Sequence, residues 1–347
     1  MPEEKEKVHD KDFADVSQES VYSEVEKHSA QELYEDSVFE KSLNQRIITF
    51  LLTLIVTLLA SLGVYIGVQV LTYKEPFVET ATLEKISDEN LAYGQLEESL
   101  PYSPAVASFS QQDDYDAQSM VIFDATANQE IFSKDADKQT LVASLTKLAS
   151  TKILYDTKEL GDSTIISAEA EEKEGSALEL EEGQEFINED LLKAAVIASS
   201  NQSVYALNNV EETIQLMNEY ADALGLEDTQ FSNPAGYDDN GNNYSSARDL
   251  IVLAKRFFHN EALRESAGTI ELKIADVKSG EQFDVINTND LLRLKTPGVL
   301  AGKTGTTTAA GQNLMLLIEK NGRQYIVVLL NSTDRYVDAY KVLDRLP

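Results

Sequence analysis

The sequence predicts a mixed α+β domain in which strands from both ends of the domain form one antiparallel sheet and helices are inserted between them. Two observations predict this arrangement. Pairs of apolar runs separated by a short turn follow residue 115 and again residue 310, as in β-hairpins. Between them, apolar residues recur at the three- and four-residue spacing of helices. One layered domain fits both, because helices can bury the apolar face of a sheet.

Two hairpins account for the expected sheet. The predicted strands are Ser119 to Asp124 with Glu130 to Phe132, and Gln312 to Glu319 with Gln324 to Asn331. Residues 125–129 supply the polar turn of the first hairpin. The second turn contains Asn321-Gly322, and Asn-Gly between apolar runs is the strongest short sequence signal for a hairpin.

Helices are expected between the hairpins and after the second one. The predicted helices are Thr140 to Tyr155, Leu191 to Leu207, Thr213 to Leu224, Ser246 to Phe258 and Val337 to Leu346. Gly225 is a typical helix-ending residue, and Ser245 or Ser246 is a typical helix-starting residue. Residues 167–185 are dense in glutamate, which favours an exposed, partly irregular lobe. Residues 233–236 are expected to form a turn that could also wall a cleft.

A run of 25 residues without a charge, Ile47 to Leu71, precedes the domain. A helix of that length, at about 1.5 Å per residue, exceeds the ~30 Å hydrocarbon core of a bilayer, so we expect one N-terminal transmembrane helix. A buried core helix and a cleaved signal peptide are the alternatives. A signal peptide has an apolar region of about 7–15 residues and a short leader, whereas 46 residues precede this run. An uncleaved signal anchor is therefore favoured.

The anchor divides the chain into four expected parts. Residues 1–46 would be an acidic, disordered cytoplasmic tail, 47–71 the anchor, 72–113 an extracellular linker or stalk, and 114–347 the folded domain. Basic residues are more frequent on the N-terminal side of the anchor, which favours a cytoplasmic N-terminus. The predicted location is a cell membrane crossed once, with the domain outside the cytoplasm.

The composition disfavours or excludes several functions. The formal net charge is −31, which disfavours nucleic acid or anionic lipid as the main partner. The chain has no cysteine, so a disulfide, a thiolate nucleophile and a cysteine-ligated metal are excluded. His259 is the one histidine beyond the apolar run, and we expect it at the surface near a helix end. A single histidine disfavours a Ser-His-Asp triad and excludes a multi-histidine zinc site, so no metal or cofactor is expected.

Three short motifs occur in an order that could supply nucleophilic chemistry. Ser144 and Lys147 lie three residues apart near the start of a predicted helix, a spacing that puts both on one face with Cβ atoms about 5–6 Å apart. The lysine amine could therefore deprotonate the serine hydroxyl. An ordinary lysine titrates near ~10.4, so burial or another cation must lower its pKa. Lys303 could be that cation.

The second motif, Ser199-Ser200-Asn201, follows a predicted apolar helix segment and is expected at a helix end or turn. Ser199 could pass a proton to a leaving amine. Asn201 could hold both a substrate amide and the base lysine.

The third motif, Lys303-Thr304-Gly305, is expected on a strand to which a peptide could add as an extra edge. The backbone amides of Ser144 and Thr306 could form an oxyanion hole, and Lys303, Thr304 and Thr306 could bind a terminal carboxylate. A phosphate-binding loop is excluded, because its pattern requires glycine where this sequence has Pro297.

The order and context of these motifs resemble the serine D-alanyl-D-alanine carboxypeptidases, which are low-molecular-mass penicillin-binding proteins, from about residue 115 to 347. The resemblance extends beyond the three motifs to Met217-Asn218, Ala221 to Gly236, Tyr244 to Leu250, Asn287 to Leu292 and Ala310-Gly311. It implies the serine β-lactamase and D,D-peptidase fold, an antiparallel sheet with flanking helices and an inserted helical subdomain.

The resemblance also implies an activity. The substrate would be a bacterial peptidoglycan stem peptide ending in D-Ala-D-Ala, the last D-Ala would be released through an acyl-enzyme, and β-lactams would be covalent inhibitors. The implied roles are nucleophile for Ser144, base for Lys147, relay and clamp for Ser199 and Asn201, electrostatic partner for Lys303, and substrate binding for Thr304, Gly305 and Thr306.

Some positions depart from the family pattern, and other functions stay open. Val142 stands where the family usually has proline, and Gln202-Ser203 replaces the usual Asp-Ala. A D,D-endopeptidase would use the same residues. A β-lactamase shares the scaffold but in one class also needs a glutamate that activates water, and no equivalent is evident. A degenerate domain that binds peptidoglycan without catalysis is a third alternative.

Overall fold

The computed structural model describes residues 48–59, 109–110, 114–175, 178–238 and 243–347. Residues 48–59 form helix α1, whose side chains are exposed. Within these ranges, none of the helices combines the length and apolar character needed to cross a bilayer. The predicted tail, most of the predicted linker and more than half of the predicted anchor lie outside the described residues.

The domain after residue 114 is built from strands and helices in alternation. The strands are β1 Ser119–Asp124, β2 Gln129–Lys134, β3 Thr140–Leu141, β4 Ser163–Ile165, β5 Glu185–Ile187, β6 Tyr244–Ser245, β7 Glu271–Ala275, β8 Gln282–Ile286, β9 Val299–Thr307, β10 Gly311–Lys320 and β11 Arg323–Ser332. The helices are α2 Lys147–Thr157, α3 Ala168–Glu171, α4 Asn188–Ile197, α5 Asn201–Ala206, α6 Val210–Ala223, α7 Ala247–His259, α8 Glu261–Gly268, α9 Asp290–Arg293 and α10 Arg335–Arg345.

The main sheet has five antiparallel strands in the order β2-β1-β11-β10-β9. The first strand of the domain therefore pairs directly with the last one, with Val121 opposite Val328. This confirms the expectation that both ends of the domain contribute to one sheet. The second hairpin turns at Asn321 and Gly322, whose φ angles of 52° and 75° suit the tight turn that Asn-Gly favours.

The sheet is buried on both faces because side chains alternate along each strand. Val121 and Val328 face the core formed with most of the helices. Ile122 and Val327 face the opposite way and pack against the last helix, α10. The helical part thus covers one face and the C-terminal helix covers the other.

Two predicted helices differ from the structure. The prediction of one helix over Leu191 to Leu207 is wrong. Two helices, α4 and α5, cover this range, and the helical conformation is interrupted between them, where Ser199 adopts φ 59°. The helix predicted from Thr140 begins only at Lys147, because Thr140 pairs with Ser245 in a short ladder and residues 143–146 form a 3-10 turn. In both cases one of the three short sequence motifs interrupts the apolar periodicity.

The other helix predictions hold to within a few residues. Helix α7 begins after Ser246, whose Oγ accepts a hydrogen bond of 3.1 Å from the Asp249 amide, and it ends at His259, which is exposed as expected. The glutamate-rich lobe is irregular around α3, as predicted, but Leu178 and Leu180 anchor it in the core.

Candidate active site

Ser144 lies in the 3-10 turn immediately before α2, and two glycines let other segments close upon that turn. Ala143 has φ 47°, a left-handed conformation. A Cβ added at Gly236 would lie 2.0 Å from the Ala143 carbonyl oxygen, and one added at Gly305 would lie 3.0 Å from the Ser144 amide nitrogen. Only glycine fits at such distances. Ser144 is half-buried between fully buried neighbours, so it stays accessible at a tightly packed turn.

Lys147 projects from the first turn of α2 into the interior, where it is 1% exposed. Its Nζ lies 3.1 Å from Ser144 Oγ, 2.7 Å from Asn201 Oδ1 and 2.7 Å from the Ala235 carbonyl oxygen. The structure therefore brings the first and second motifs together at one nitrogen.

Burial lowers the pKa of Lys147 well below its usual 10.5, and the nearby charge of Lys303 lowers it further. In its neutral form, which this shift favours, the amine has two N–H groups and one lone pair. Asn201 Oδ1 and the Ala235 carbonyl can only accept, so they take both N–H groups. The lone pair is then directed at the Ser144 hydroxyl, which is the geometry of a general base.

Lys303 on β9 contacts the second motif from the other side. Its Nζ donates hydrogen bonds of 2.8 Å to Ser199 Oγ and 3.0 Å to the Thr304 carbonyl. Burial, together with the charge of Arg335, lowers the pKa of Lys303 to about 7. The left-handed conformation of Ser199, between α4 and α5, puts its hydroxyl in reach of this lysine.

The third motif lies along β9, which pairs with β10. Thr304 is buried and its Oγ1 lies 2.6 Å from Thr288 Oγ1, whereas Thr306 is exposed. The Arg335 guanidinium donates to the Gly305 carbonyl at 3.0 Å and also to Thr306 Oγ1. A hydroxyl and a guanidinium thus meet at the end of the strand, an arrangement suited to a carboxylate.

Two contributors were not predicted from the sequence. Ala235 belongs to the turn 233–236, which was predicted as a possible wall, yet its carbonyl directly contacts the lysine. Asn233 Oδ1 holds that turn by accepting from the amides of Ala235 and Gly236 at 3.2 and 2.7 Å. The Asn-Pro-Ala-Gly sequence was the available signal. Arg335 carried no such signal, because it opens an ordinary amphipathic helix.

A buried lysine aimed at a serine, with a second serine–lysine pair beside it, defines a serine acyl-transfer enzyme that uses no histidine. The sequence profile of the Peptidase S11 family, D-alanyl-D-alanine carboxypeptidase, matches residues 106–334. The chain belongs to this family.

Individual relatives agree with the family assignment. The D-alanyl-D-alanine carboxypeptidase DacF of Bacillus subtilis is 29% identical over 260 residues, covering 69% of this chain and 66% of its own length. A D-alanyl-D-alanine endopeptidase of Pseudomonas aeruginosa is 26% identical over 240 residues, covering 67% of this chain and 77% of its own length. A variant of the Streptomyces K15 DD-transpeptidase has a similar structure, with TM-score 0.63 and 25% identity, covering 67% of this chain and 98% of that one. The described fold is thus that of D,D-peptidases.

Proposed function

We propose that this protein is a serine-type D-Ala-D-Ala carboxypeptidase that trims peptidoglycan stem peptides through an acyl-enzyme. The observation that carries the proposal is the placement of Lys147 Nζ 3.1 Å from Ser144 Oγ, with two acceptors on its other sides. The family assignment supplies the substrate class.

Acylation begins when Ser144 Oγ attacks the carbonyl carbon of the penultimate D-Ala and its proton moves to Lys147. The backbone amides of Ser144 and Thr306 stabilise the oxyanion. When the intermediate collapses, the C–N bond breaks, and a proton delivered through Ser199 Oγ lets the terminal D-Ala leave as an amine. Water then attacks the ester, which releases the shortened peptide and restores the Ser144 hydroxyl.

The remaining site residues bind and polarise. Lys303 holds Ser199 by a hydrogen bond of 2.8 Å and adds positive potential near the reacting atoms. Thr304 and Thr306, with Arg335 behind them, receive the terminal carboxylate. Gly305 has no side chain, so the Ser144 turn packs directly against β9, and a substrate backbone that lies along this strand is close to Ser144.

A β-lactam tests the nucleophile directly. Incubation of the full chain with benzylpenicillin should give a covalent adduct by mass spectrometry that is absent from Ser144→Ala. Ser163→Ala, at an exposed strand serine, is the matched control and should keep the adduct. An adduct that survives Ser144→Ala would overturn the assignment of the nucleophile. A wild-type chain that forms no adduct would favour a non-catalytic peptidoglycan-binding domain.

The endopeptidase relative makes cleavage of cross-links the second candidate activity. Release of D-Ala from a pentapeptide, compared with cleavage of a cross-linked dimer by the same preparation, separates the two. We expect faster turnover of the pentapeptide. Rapid turnover of penicillin, instead of a long-lived adduct, would indicate a β-lactamase.

We also propose that residues 47–71 anchor the protein in the bacterial cell membrane, with residues 1–46 in the cytoplasm and the linker 72–113 carrying the domain 114–347 outside. The uncharged run of 25 residues supports this proposal. Protease added to intact spheroplasts should remove the domain and leave a tag at residue 1 protected. Loss of that tag would overturn the orientation.

A further inference from the structure

The Asn201 amide has two partners that fix which way it points. Its Oδ1 lies 2.7 Å from Lys147 Nζ, and its Nδ2 donates a hydrogen bond of 2.6 Å to the Glu174 carbonyl oxygen. A flipped amide would put its oxygen against the Glu174 carbonyl oxygen, which is repulsive, and would offer Lys147 a donor in place of an acceptor. The Glu174 carbonyl therefore decides that an acceptor faces Lys147.

The chain next to Glu174 is shaped around this amide. Gly175 has φ 98°, a conformation that side chains rarely adopt, and a Cβ there would lie 2.9 Å from Asn201 Nδ2. Residue 175 must therefore be small for the Glu174 carbonyl to reach Asn201.

A second donor holds the same carbonyl. The Tyr237 hydroxyl donates a hydrogen bond of 2.6 Å to the Glu174 oxygen. The Tyr237 ring also lies 6.2 Å from the Tyr205 ring, and Lys173 lies 4.3 Å above Tyr205. These contacts join the segment before Gly175 to helix α5 and to the residue that follows the turn 233–236.

Tyr237 is itself fixed by the turn that serves Lys147. Asn233 Oδ1 accepts from the Tyr237 amide at 3.0 Å, and Asn233 Nδ2 donates to the Tyr237 carbonyl at 3.1 Å. The same turn presents the Ala235 carbonyl to Lys147. One turn thus supplies one acceptor for the lysine directly and controls the other through Glu174.

From these contacts we infer that Tyr237 is a positioning residue for acylation: its hydroxyl fixes the Glu174 carbonyl, which orients the Asn201 amide so that the Lys147 lone pair faces Ser144. The inference rests on the proposed function. Tyr237 acts through Asn201 and touches none of the reacting atoms.

A double-mutant cycle tests this coupling on the full chain. Tyr237→Phe should slow benzylpenicillin acylation about three- to tenfold, the effect of losing one hydrogen bond. In the Asn201→Ala background the same change should have no further effect, because there is no amide left to orient. Tyr244→Phe is the matched control, since the Tyr244 hydroxyl donates a hydrogen bond of 2.7 Å to Gln230 Oε1, away from the site. This variant should be acylated at the wild-type rate. Equal slowing by Tyr237→Phe in both backgrounds would overturn the inference.

A readout that does not depend on activity separates this inference from the proposed function. In a full chain labelled with 15N-asparagine, the Asn201 side-chain amide signals are assigned by their loss in Asn201→Ala. Tyr237→Phe should shift these signals and speed their exchange with solvent, and Tyr244→Phe should not. Unchanged signals would refute the positioning role. A wild type that resists acylation would refute the proposed function, and this measurement would still decide the role of Tyr237.

Discussion

Replacing Lys303 by methionine should slow acylation severely and yet leave the folded domain at least as stable as the wild type at neutral pH. Lys303 is 2% exposed, and its pKa falls from 10.5 to about 7. At about 1.4 kcal/mol per pH unit, keeping this amine buried costs roughly 4–5 kcal/mol at pH 7. Methionine has similar length and no charge, so the variant avoids that cost.

The gain is smaller than the cost because Lys303 also donates two hydrogen bonds. Ser199 Oγ and the Thr304 carbonyl would lose their donor. Each loss costs about 1–2 kcal/mol, so the two together cost about 2–4 kcal/mol and the net stabilisation should be about 0–3 kcal/mol. Acylation should fall because Ser199 loses its partner and the site loses a positive charge.

The sign of the pH dependence follows from the lowered pKa. Below pH 7 both folded and unfolded chains hold the Lys303 proton, and the penalty is fully present. As pH rises from 7 towards 10.5, the unfolded chain binds more protons than the folded one, so wild-type stability increases. Lys303→Met should rise less steeply over this window. The stability of Lys303→Met should still increase with pH, because the pKa of Lys147 is also lowered in the folded chain.

Urea unfolding followed by far-UV circular dichroism, at about pH 7 and about pH 9, measures both effects. Lys152→Met is the control with the opposite sign, since it leaves the largely buried Asp156 without its ion-pair partner and should destabilise by about 3–5 kcal/mol. A Lys303→Met protein that is less stable than the wild type, with the same pH slope, would refute the reasoning.

Three further results are expected. The acylation rate of the wild type should rise with pH through the pKa of Lys147, which lies well below 10.5. In Lys303→Met the residual acylation should show this rise at a higher pH, because the charge of Lys303 no longer lowers the pKa of Lys147. Stopped-flow acylation measures both pH profiles. Gly236→Ala should lose more than about 3 kcal/mol of stability, because the added Cβ would overlap the backbone of Ala143. Gly225→Ala, where a Cβ would meet no atom within 4 Å, should lose only about 1–2 kcal/mol because of its positive φ. Similar urea midpoints for the two variants would contradict this. Asp338→Ala should lower the free energy of unfolding by about 3 kcal/mol in the same assay, since the carboxylate is buried and accepts a hydrogen bond of 2.8 Å from the Ala117 amide. An unchanged urea midpoint would contradict this prediction.

The local signals in the sequence were sufficient for most of the sheet. Asn321-Gly322 predicted the second hairpin because its turn needs two left-handed residues, a local property. That the two hairpins join through β1 and β11 was inferred only from their places at the two ends. The break at Ser199 was indicated only by its polar motif, and the break before Lys147 was not indicated at all, because apolar spacing does not report left-handed residues. Ala143 and Ser199 adopt that conformation where the distant Gly236 and Lys303 contact them.

The part of the site that consists of side chains could be predicted from the sequence. Ser144, Lys147, Asn201 and Lys303 were identified by residue type and order, and the structure brings them together. Backbone groups cannot be recognised in this way, since every residue has a carbonyl. Ala235 and Glu174 therefore stayed hidden until the fold placed their oxygens against Lys147 and Asn201.

The central position of β11 in the sheet has a consequence for synthesis. Both β1, made first, and β10, made just before, need β11 as their neighbour. Before β11 is made, β1 can pair only with β2 and β10 only with β9, so the two halves of the sheet stay separate until residue 332 has been added, and such long-range pairing is slow. A nonsense codon shortly before Arg323 would therefore yield a chain with no enzyme activity at all rather than a weakened one, although Ser144, Lys147, Ser199, Asn201 and Lys303 would already have been translated.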